Sequence, residues 1–355
     1  MQNLINEESK KRNYTFIDNI RCIAMMSIVF EHCFGFQDLP MYSAKFWVYL
    51  NVVQLDKFGT VIFFLLAGFL IGDKFTDYTP GEYLKRRFSG TFGPWLFWSL
   101  VYVACLIIDL HVTGNMYHDN RFNQANIWDG IRKVYLYTNY WFIINFMVSI
   151  TLLLIFKRHL YSRKFGAILL CFTLTYCVNI HYEWFDPSHT TAILGFIFFL
   201  WLGAQLRKNW EAFEHWVDNL SYPKLLLIMA VTYIAAGYEM LSLIKMHSQD
   251  PYNTLRFSNV LFSLEMFVLL LKIKNFPLIS YLQPRKTTYG MYLIHYIIVI
   301  FLFKELIRPL DIHEGSFSAL EYLLFKIGSF VVIYTITILL VLGINISPAK
   351  KLVGN

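Results

Sequence analysis

The chain has 355 residues, of which 56% are hydrophobic, 18% aromatic and only 15% charged. This composition excludes an ordinary soluble domain and predicts an integral membrane protein. The formal net charge of +7 comes from basic clusters that apolar segments separate, which argues against a nucleic-acid-binding face. The five cysteines lie in apolar segments without metal-ligand spacing, so neither disulfides nor a metal site is expected.

Apolar segments long enough to span a membrane recur along almost the whole chain. They predict an all-α integral membrane protein with about ten transmembrane helices and no room for a soluble domain. Residues 1–355 are therefore interpreted as one membrane domain, with a polar segment at 1–15 that is not a signal peptide and a short tail at 347–355. The predicted spans are 16–36, 55–73, 90–110, 140–157, 165–181, 190–206, 223–244, 255–272, 286–306 and 321–346.

Basic residues cluster in every second loop of this arrangement and at both ends of the chain. The clusters lie at 10–12, 85–87, 157–164, 207–208, 272–286 and 350–351. Because loops rich in Lys and Arg stay on the cytoplasmic side, both termini are expected to be cytoplasmic, and the number of spans is expected to be even.

The first predicted span contains the ionisable residues Asp18, Arg21 and His32. Arg21 and His32 are eleven residues apart, which on an α-helix corresponds to about 16 Å along the axis and only about 20° around it. Both side chains should therefore project from one face. Since ionisable groups in a membrane usually face a protein interior or a wet cavity, the alignment indicates a buried reaction channel. The alternative is a snorkelling arginine near a helix end and one hydrogen-bonded interior histidine.

The predicted outward loops combine aromatic, acidic and histidine residues. These are Trp47, Tyr117, His118, Asp119, Trp128, Asp129, Glu183, Trp184, Asp186 and His189. Aromatic faces with flanking carboxylates suit a sugar, whereas an interfacial belt of Trp and Tyr has much the same composition. For any single residue of this set the belt is the preferred interpretation.

Six short motifs follow one another along the chain. They are Asp18-x-x-Arg21 followed by His32, Phe63-Phe64-Leu65-Leu66-Ala67-Gly68-Phe69, the basic turn from Tyr83 to Arg87 with Pro94 and Trp98, Tyr140-Trp141-Phe142, Phe199-Leu200-x-Leu202-Gly203, and Tyr289-Gly290-Met291-Tyr292-Leu293-Ile294-His295. Together they resemble the acyltransferase-3 family of membrane acyltransferases over nearly the whole chain. The sequence departs from the family pattern at Ala67, where serine is usual, and after Arg87, where the second arginine of the basic turn is missing.

The resemblance implies transfer of an acyl group, usually acetyl, from cytoplasmic acyl-CoA to a hydroxyl or amine of a cell-surface carbohydrate or its lipid-linked precursor. The residues agree with this in two respects. Arg21, Arg86 and Arg87 supply cations on the predicted cytoplasmic side, where the phosphates of the donor need them. His32 is the candidate general base for an acceptor hydroxyl, since imidazole ordinarily titrates near neutral pH.

Five other residues are candidates for the site, each with a structural alternative. Asp18 either orients the following arginine through an ion pair or is an acidic residue in a first helical turn. Glu31 either tunes the site or pairs with another helix, and His295 is either a second polar group of the site or an interhelical hydrogen bond. Trp141 and Tyr292 belong to motifs that carry the resemblance and are further possible site residues.

The sequence thus predicts a multi-pass O-acyltransferase of a bacterial inner membrane, with acetyl-CoA as donor co-substrate and no metal. Its partners would be a polysaccharide or lipid-linked saccharide acceptor and the membrane lipid, without nucleic acid. His32 either deprotonates the acceptor or is itself acylated and relays the group. The alternative from another class is a non-enzymatic exporter or flippase for a lipid-linked saccharide, which would not need cytoplasmic cations for CoA.

Overall fold

The computed structural model describes residues 15–34, 39–72, 78–312 and 314–355. Within these ranges all regular secondary structure is helical, which confirms the predicted all-α class. The α-helices are α1 Thr15–Phe34, α2 Ala44–Asp56, α3 Gly59–Gly72, α4 Pro80–Arg87, α5 Gly93–Tyr117, α6 Gln124–Tyr137, α7 Trp141–Ile155, α8 Arg163–Tyr182, α9 Ile197–Lys208, α10 Trp210–Asn219, α11 Tyr222–Lys245, α12 Phe257–Ile273, α13 Pro284–Ile297, α14 Phe303–Ile307 and α15 Ala319–Asn345. Single π-helical turns join α4 to α5 and α13 to α14.

Six helical segments of the described chain are long and apolar enough to cross a membrane. They are Ala44–Gly72, Pro80–Tyr117, Arg163–Tyr182, Tyr222–Lys245, Pro284–Leu310 and Ala319–Asn345. The pair α6 and α7, bent by 50° at a short break, brings the number to seven if it counts as one span. These helices indicate a multi-pass membrane protein.

Each of the ten predicted spans overlaps an α-helix, but several of these helices are too short or too charged to pass as spans by themselves. α1 carries Asp18, Arg21 and Glu31 within its 20 residues. α9 and α12 are only 12 and 17 residues long. The count of ten and the cytoplasmic location of both termini therefore stay predictions. The sequence analysis did not predict α2, which continues almost directly into α3.

α3 and α9 cross at two glycines. A Cβ atom at Gly68 would collide with the backbone oxygen of Leu200, and a Cβ atom at Gly203 would collide with that of Leu65. Only glycine lets two helix backbones approach so closely. The glycines of two of the six motifs are thus explained by packing, and the crossing fixes α3 in place.

α1 lies between the two largest hydrophobic cores. Its residues Ile20 and Ala24 pack into one core, which also contains residues of α3 and α9. Met25 and Val29 pack into the other core, with residues of α13 and α15. Because apolar neighbours surround this helix on two sides, its ionisable residues are confined to the remaining face.

Three non-helical segments meet beyond the ends of their helices, at 138–140, 183–196 and 246–256. The Thr190 hydroxyl donates a hydrogen bond to the carbonyl of Leu136, and Asn253 Nδ2 donates to the carbonyl of Pro187 at 2.8 Å. In membrane proteins such irregular backbone is tolerated where it is buried in protein or lines a cavity. All three segments contribute residues to the wall of the cavity described next.

Candidate active site

A cavity of about 390 Å³ runs alongside α1. Arg21 lines it near the start of this helix, and Glu31 and His32 line it near the end. The cavity has two chemically different ends. The basic end is formed by Arg21, Arg87 and Arg285, and the histidine end by Glu31, His32, Lys57 and His189.

The basic end carries more cations than anions. Asp18 accepts a hydrogen bond from Arg285 at 2.9 Å, and its carboxylate lies 3.7 Å from Arg21. Arg87 is held separately, because its Nε donates to the hydroxyl of Tyr83 at 2.7 Å. Among the described residues of this end, three guanidinium groups therefore face one carboxylate. Such a surface suits an anion with several oxygen atoms, such as a phosphate group.

Arg86 points away from this cavity. Its Nη1 donates to the hydroxyl of Tyr78 at 2.5 Å, and its guanidinium lies over the same ring, 5.0 Å from the centroid. The structure thus separates two neighbouring arginines that the sequence analysis grouped together. Arg285, which the sequence analysis counted only as a cytoplasmic charge, lies at the basic end instead.

His32 and His295 form a hydrogen-bonded pair at the histidine end. His32 Nδ1 lies 2.9 Å from His295 Nε2, and the planes of the two rings are 10° apart. His295 Nδ1 lies 2.9 Å from the carbonyl oxygen of Met291 and 3.0 Å from that of Tyr292. Since carbonyl oxygens only accept, His295 Nδ1 must carry a proton, and in a neutral ring Nε2 is then an acceptor. His32 Nδ1 is the donor of the pair, which leaves the lone pair on Nε2 of a neutral His32 free for a substrate.

Glu31 and Lys57 form an ion pair on the same part of the wall. Their side chains are only 18% and 10% exposed. Lys57 lies in the short turn between α2 and α3, so the pair joins the end of α1 to the start of α3. Neither member leaves an uncompensated charge on the cavity wall.

His189 adds a neutral polar surface to the histidine end. The backbone N–H of Thr254 donates to His189 Nε2 at 3.2 Å, and the ring of Trp141 stacks on the imidazole with the centroids 4.9 Å apart. Burial lowers the pKa of His189 to about 3, and the charge of Lys57 acts in the same direction. The imidazole is therefore uncharged near neutral pH. A stacked indole and a neutral imidazole form an apolar surface without net charge.

The wall between the two ends is mainly apolar. Leu66, Ala67, Phe142, Phe146 and Tyr292 line it. Ala67 contributes a methyl group where the family pattern has a hydroxyl, so this part of the wall offers no hydrogen bond from that position. An uncharged, flexible chain fits such a passage better than a charged group.

Asn139 lies in the break between α6 and α7 and is tied to α13. Its Nδ2 donates to the carbonyl of Tyr292 at 2.8 Å, and the hydroxyl of Tyr292 donates to the carbonyl of Asn139 at 2.5 Å. Asn139 lines the cavity, and its Oδ1 is buried without a hydrogen-bond partner among the described atoms. The sequence analysis missed this residue, although it directly precedes the motif Tyr140-Trp141-Phe142.

Most of the residues singled out from the sequence meet at this one cavity. Arg21, Glu31, His32, Arg87, Trp141 and Tyr292 line it. Asp18 and His295 contact lining residues, and Arg86 lies outside. No sequence pattern points to Lys57 or Thr254, and His189 is predicted only as one of the outward-loop residues. The positions of these three residues beside the cavity depend on how the irregular segments fold.

A family model described as an acyltransferase domain matches residues 14–344. The match covers nearly the whole chain and both ends of the cavity. No curated protein and no solved structure matches the chain.

Proposed function

Because the chain belongs to the acyltransferase-3 family, we propose that it transfers an acetyl group from cytoplasmic acetyl-CoA to a hydroxyl of a cell-surface polysaccharide or of its lipid-linked precursor, in a bacterial inner membrane. Acyl transfer follows from the family, which favours an enzyme over an exporter or flippase. The observation that carries the finer proposal is one cavity that connects three arginines with a histidine pair.

The basic end is proposed to bind the phosphates of the donor. Arg21, Arg87 and Arg285 can each donate two hydrogen bonds to phosphate oxygens, and Asp18 orients two of them. The pantetheine arm would pass along the apolar middle of the cavity. Arg21 and His32 are about 16 Å apart along α1, a length comparable to an extended pantetheine arm, so the thioester would reach His32.

His32 is proposed to act as the general base. The acceptor oxygen attacks the thioester carbonyl carbon while its proton passes to His32 Nε2. The new C–O bond forms, the C–S bond breaks, and the departing sulfur takes the proton back from Nε2. The products are the acetylated acceptor and CoA.

His295 is proposed to position His32 rather than to exchange protons. It accepts the bond from His32 Nδ1 and is itself fixed by two backbone carbonyls, so Nε2 of His32 stays the basic nitrogen. In the acyl-relay variant, Nε2 attacks the thioester carbonyl carbon, the C–S bond breaks and the CoA thiolate leaves. The acceptor oxygen then attacks the acetyl group on Nε2, the N–C bond breaks, and the acceptor's proton passes to the thiolate sulfur. The same tautomer serves both routes.

The histidine end is proposed to bind the acceptor. Trp141, which stacks on His189, offers an apolar ring surface to a sugar, and the hydroxyl oxygen of Thr254, which is bonded to His189 Nε2, can accept a hydrogen bond from a sugar hydroxyl. Because Glu31 and Lys57 neutralise each other, this surface favours an uncharged sugar over a uronic acid.

Radiolabelled acetyl-CoA given to the reconstituted protein with a saccharide fraction of its own membrane tests the proposal. His32→Ala should lower the transfer of label by about 100- to 10,000-fold and leave acetyl-CoA binding intact. His215→Ala, which changes an exposed histidine outside the cavity, should transfer normally. Normal transfer by a folded His32→Ala protein would exclude the mechanism, and a wild-type protein that does not bind acetyl-CoA would exclude the donor.

A further inference from the structure

Three tyrosines of α13 form one stripe along the wall of the cavity. Tyr289, Tyr292 and Tyr296 all line it, and their spacing of three and four residues places them on one face of the helix. Arg285 of the basic end begins the same face. Tyr296 lies at the histidine end, where its ring meets that of His32 edge to face with the centroids 4.9 Å apart.

The hydroxyl groups of these tyrosines have different partners. That of Tyr289 donates to the carbonyl of Thr91, and that of Tyr292 donates to the carbonyl of Asn139, so both tie α13 to neighbouring segments. The hydroxyl of Tyr296 makes no hydrogen bond with any described residue, and it is not one of the enclosed, unpaired polar atoms of the described ranges. It therefore keeps surface that a substrate atom can reach, on a ring that lines the cavity.

Acyl transfer beside His32 needs a hydrogen-bond donor for the thioester carbonyl. When an acceptor oxygen attacks the carbonyl carbon, the electron pair of the C=O bond moves onto the carbonyl oxygen, and preorganised donors stabilise the charge that forms there. Because the attacking oxygen gives its proton to His32 Nε2, this charge forms close to the His32 imidazole. The ring centroid of Tyr296 is 4.9 Å from that of His32 and 6.2 Å from that of His295, so Tyr296 lies nearer to the proposed base.

Other donors at the histidine end are already engaged by the protein. Lys57 pairs with Glu31, and His295 Nδ1 lies against two backbone carbonyls. The phenolic O–H of a tyrosine is neutral near pH 7 and donates one hydrogen bond. The Tyr296 hydroxyl is thus a neutral donor with its proton available to a substrate.

We propose that the Tyr296 hydroxyl donates a hydrogen bond to the thioester carbonyl oxygen and stabilises the negative charge that develops on it. This inference rests on the proposed function, because it takes an acetyl thioester as the donor. The hydroxyl keeps its proton throughout. In the general-base route the C=O bond then re-forms, the C–S bond breaks, and the sulfur takes the proton from His32 Nε2. The same charge develops when His32 itself attacks the thioester, so Tyr296 serves both routes.

Tyr296→Phe tests the proposal, because it removes the hydroxyl and keeps the ring. The full chain in nanodiscs receives saturating radiolabelled acetyl-CoA and a saccharide fraction of its own membrane. The variant should transfer label about 100-fold more slowly than the wild type, which is the effect of losing one oxyanion donor. The dissociation constant of acetyl-CoA should stay within about twofold of the wild-type value, because the bond strengthens mainly in the transition state. The unfolding temperature should not change, since the hydroxyl bonds to no described residue.

Tyr102→Phe is the matched control. Tyr102 lies on α5, its ring stacks on that of Tyr296 with the centroids 6.0 Å apart, and it does not line the cavity. This variant loses the same atom one ring away and should transfer at the wild-type rate. Thr60 carries another hydroxyl on the cavity wall. A large loss in Thr60→Val without one in Tyr296→Phe would assign the donor to Thr60 and overturn the proposal.

The remaining outcomes separate this inference from the proposed function. Normal transfer by Tyr296→Phe overturns the role of Tyr296 and leaves the proposed function standing. Equal losses in Tyr296→Phe and Tyr102→Phe, or a lowered unfolding temperature of Tyr296→Phe, would assign Tyr296 to packing and also overturn its role. If the wild-type protein transfers no acetyl group, the proposed function fails, and this inference fails with it.

Discussion

The basic end and the histidine end of the cavity differ in how the chain builds them. The three arginines of the basic end stand on regular helices, namely α1, α4 and α13. At the histidine end, Glu31 and His32 stand on α1, whereas Lys57 lies in a turn and His189 in the non-helical segment 183–196. On a regular helix, the spacing of residues in the sequence determines the direction in which each side chain points, whereas in an irregular segment it does not. The histidine end, which helix periodicity does not predict, is the end proposed to bind the acceptor.

The two ends also differ in charge balance. Among the described residues, the basic end sets three guanidinium groups against the single carboxylate of Asp18. At the histidine end, Glu31 pairs with Lys57, and the imidazole of His189 is neutral. A cavity that is cationic at one end and balanced at the other fits a phosphate-bearing donor and an uncharged acceptor that approach each other from opposite sides.

The largest effect is expected from a substitution where α3 crosses α9, because α3 lines both ends of the cavity. α3 lines the cavity with Thr60 towards the histidine end and Ile71 towards the basic end, and Gly68 fixes it against α9. Gly68→Ala would force the two backbones apart, and we expect a loss of about 3 kcal/mol in the free energy of unfolding. Donor and acceptor binding should decline together. Thermal unfolding in nanodiscs measures the effect.

Gly328→Ala provides the reference for that prediction. Gly328 lies within α15, and a Cβ atom there would meet nothing within 4 Å. Alanine also has the higher helix propensity, so this variant should be as stable as the wild type or slightly more stable. Equal unfolding temperatures of the two variants would show that the crossing tolerates a methyl group.

The next prediction affects the histidine end alone. His295→Ala removes the acceptor of the bond from His32 Nδ1, so either nitrogen of His32 can then carry the proton. The catalytic rate constant should fall about 100-fold, with the dissociation constant of acetyl-CoA unchanged. His295→Gln places an amide oxygen near the position of the lost Nε2 and should restore most of the rate. If glutamine rescues no better than alanine, His295 fills space rather than setting the tautomer.

Some contacts of the cavity follow from the sequence, and others do not. The approach of Arg21 and His32 to one cavity follows from helix periodicity, because one helix carries both. His32 and His295 lie on helices that are distant in the chain, so helix periodicity does not predict their pairing. The sequence indicated only that each histidine belongs to a motif. Lys57 and Asn139 lie in breaks between helices, where no periodic pattern exists. Each of the ten predicted spans overlaps a helix. The length of each helix, however, depends on where an irregular segment interrupts it, and the hydropathy of the sequence does not show where these interruptions lie.

The smallest expected effect separates two neighbouring arginines at the basic end. Consecutive helix positions diverge by about 100°, so Arg87 faces the cavity while Arg86 binds the hydroxyl of Tyr78 outside it. Arg87→Lys keeps the charge, and hence the membrane orientation, but loses the planar fork that grips phosphate oxygens. The dissociation constant of acetyl-CoA should rise about 5- to 10-fold. Arg86→Lys makes the same exchange one residue away and should bind as the wild type does. Equal weakening in both variants, measured by titration in nanodiscs, would mean that the basic end acts through its overall field rather than through placed guanidinium groups.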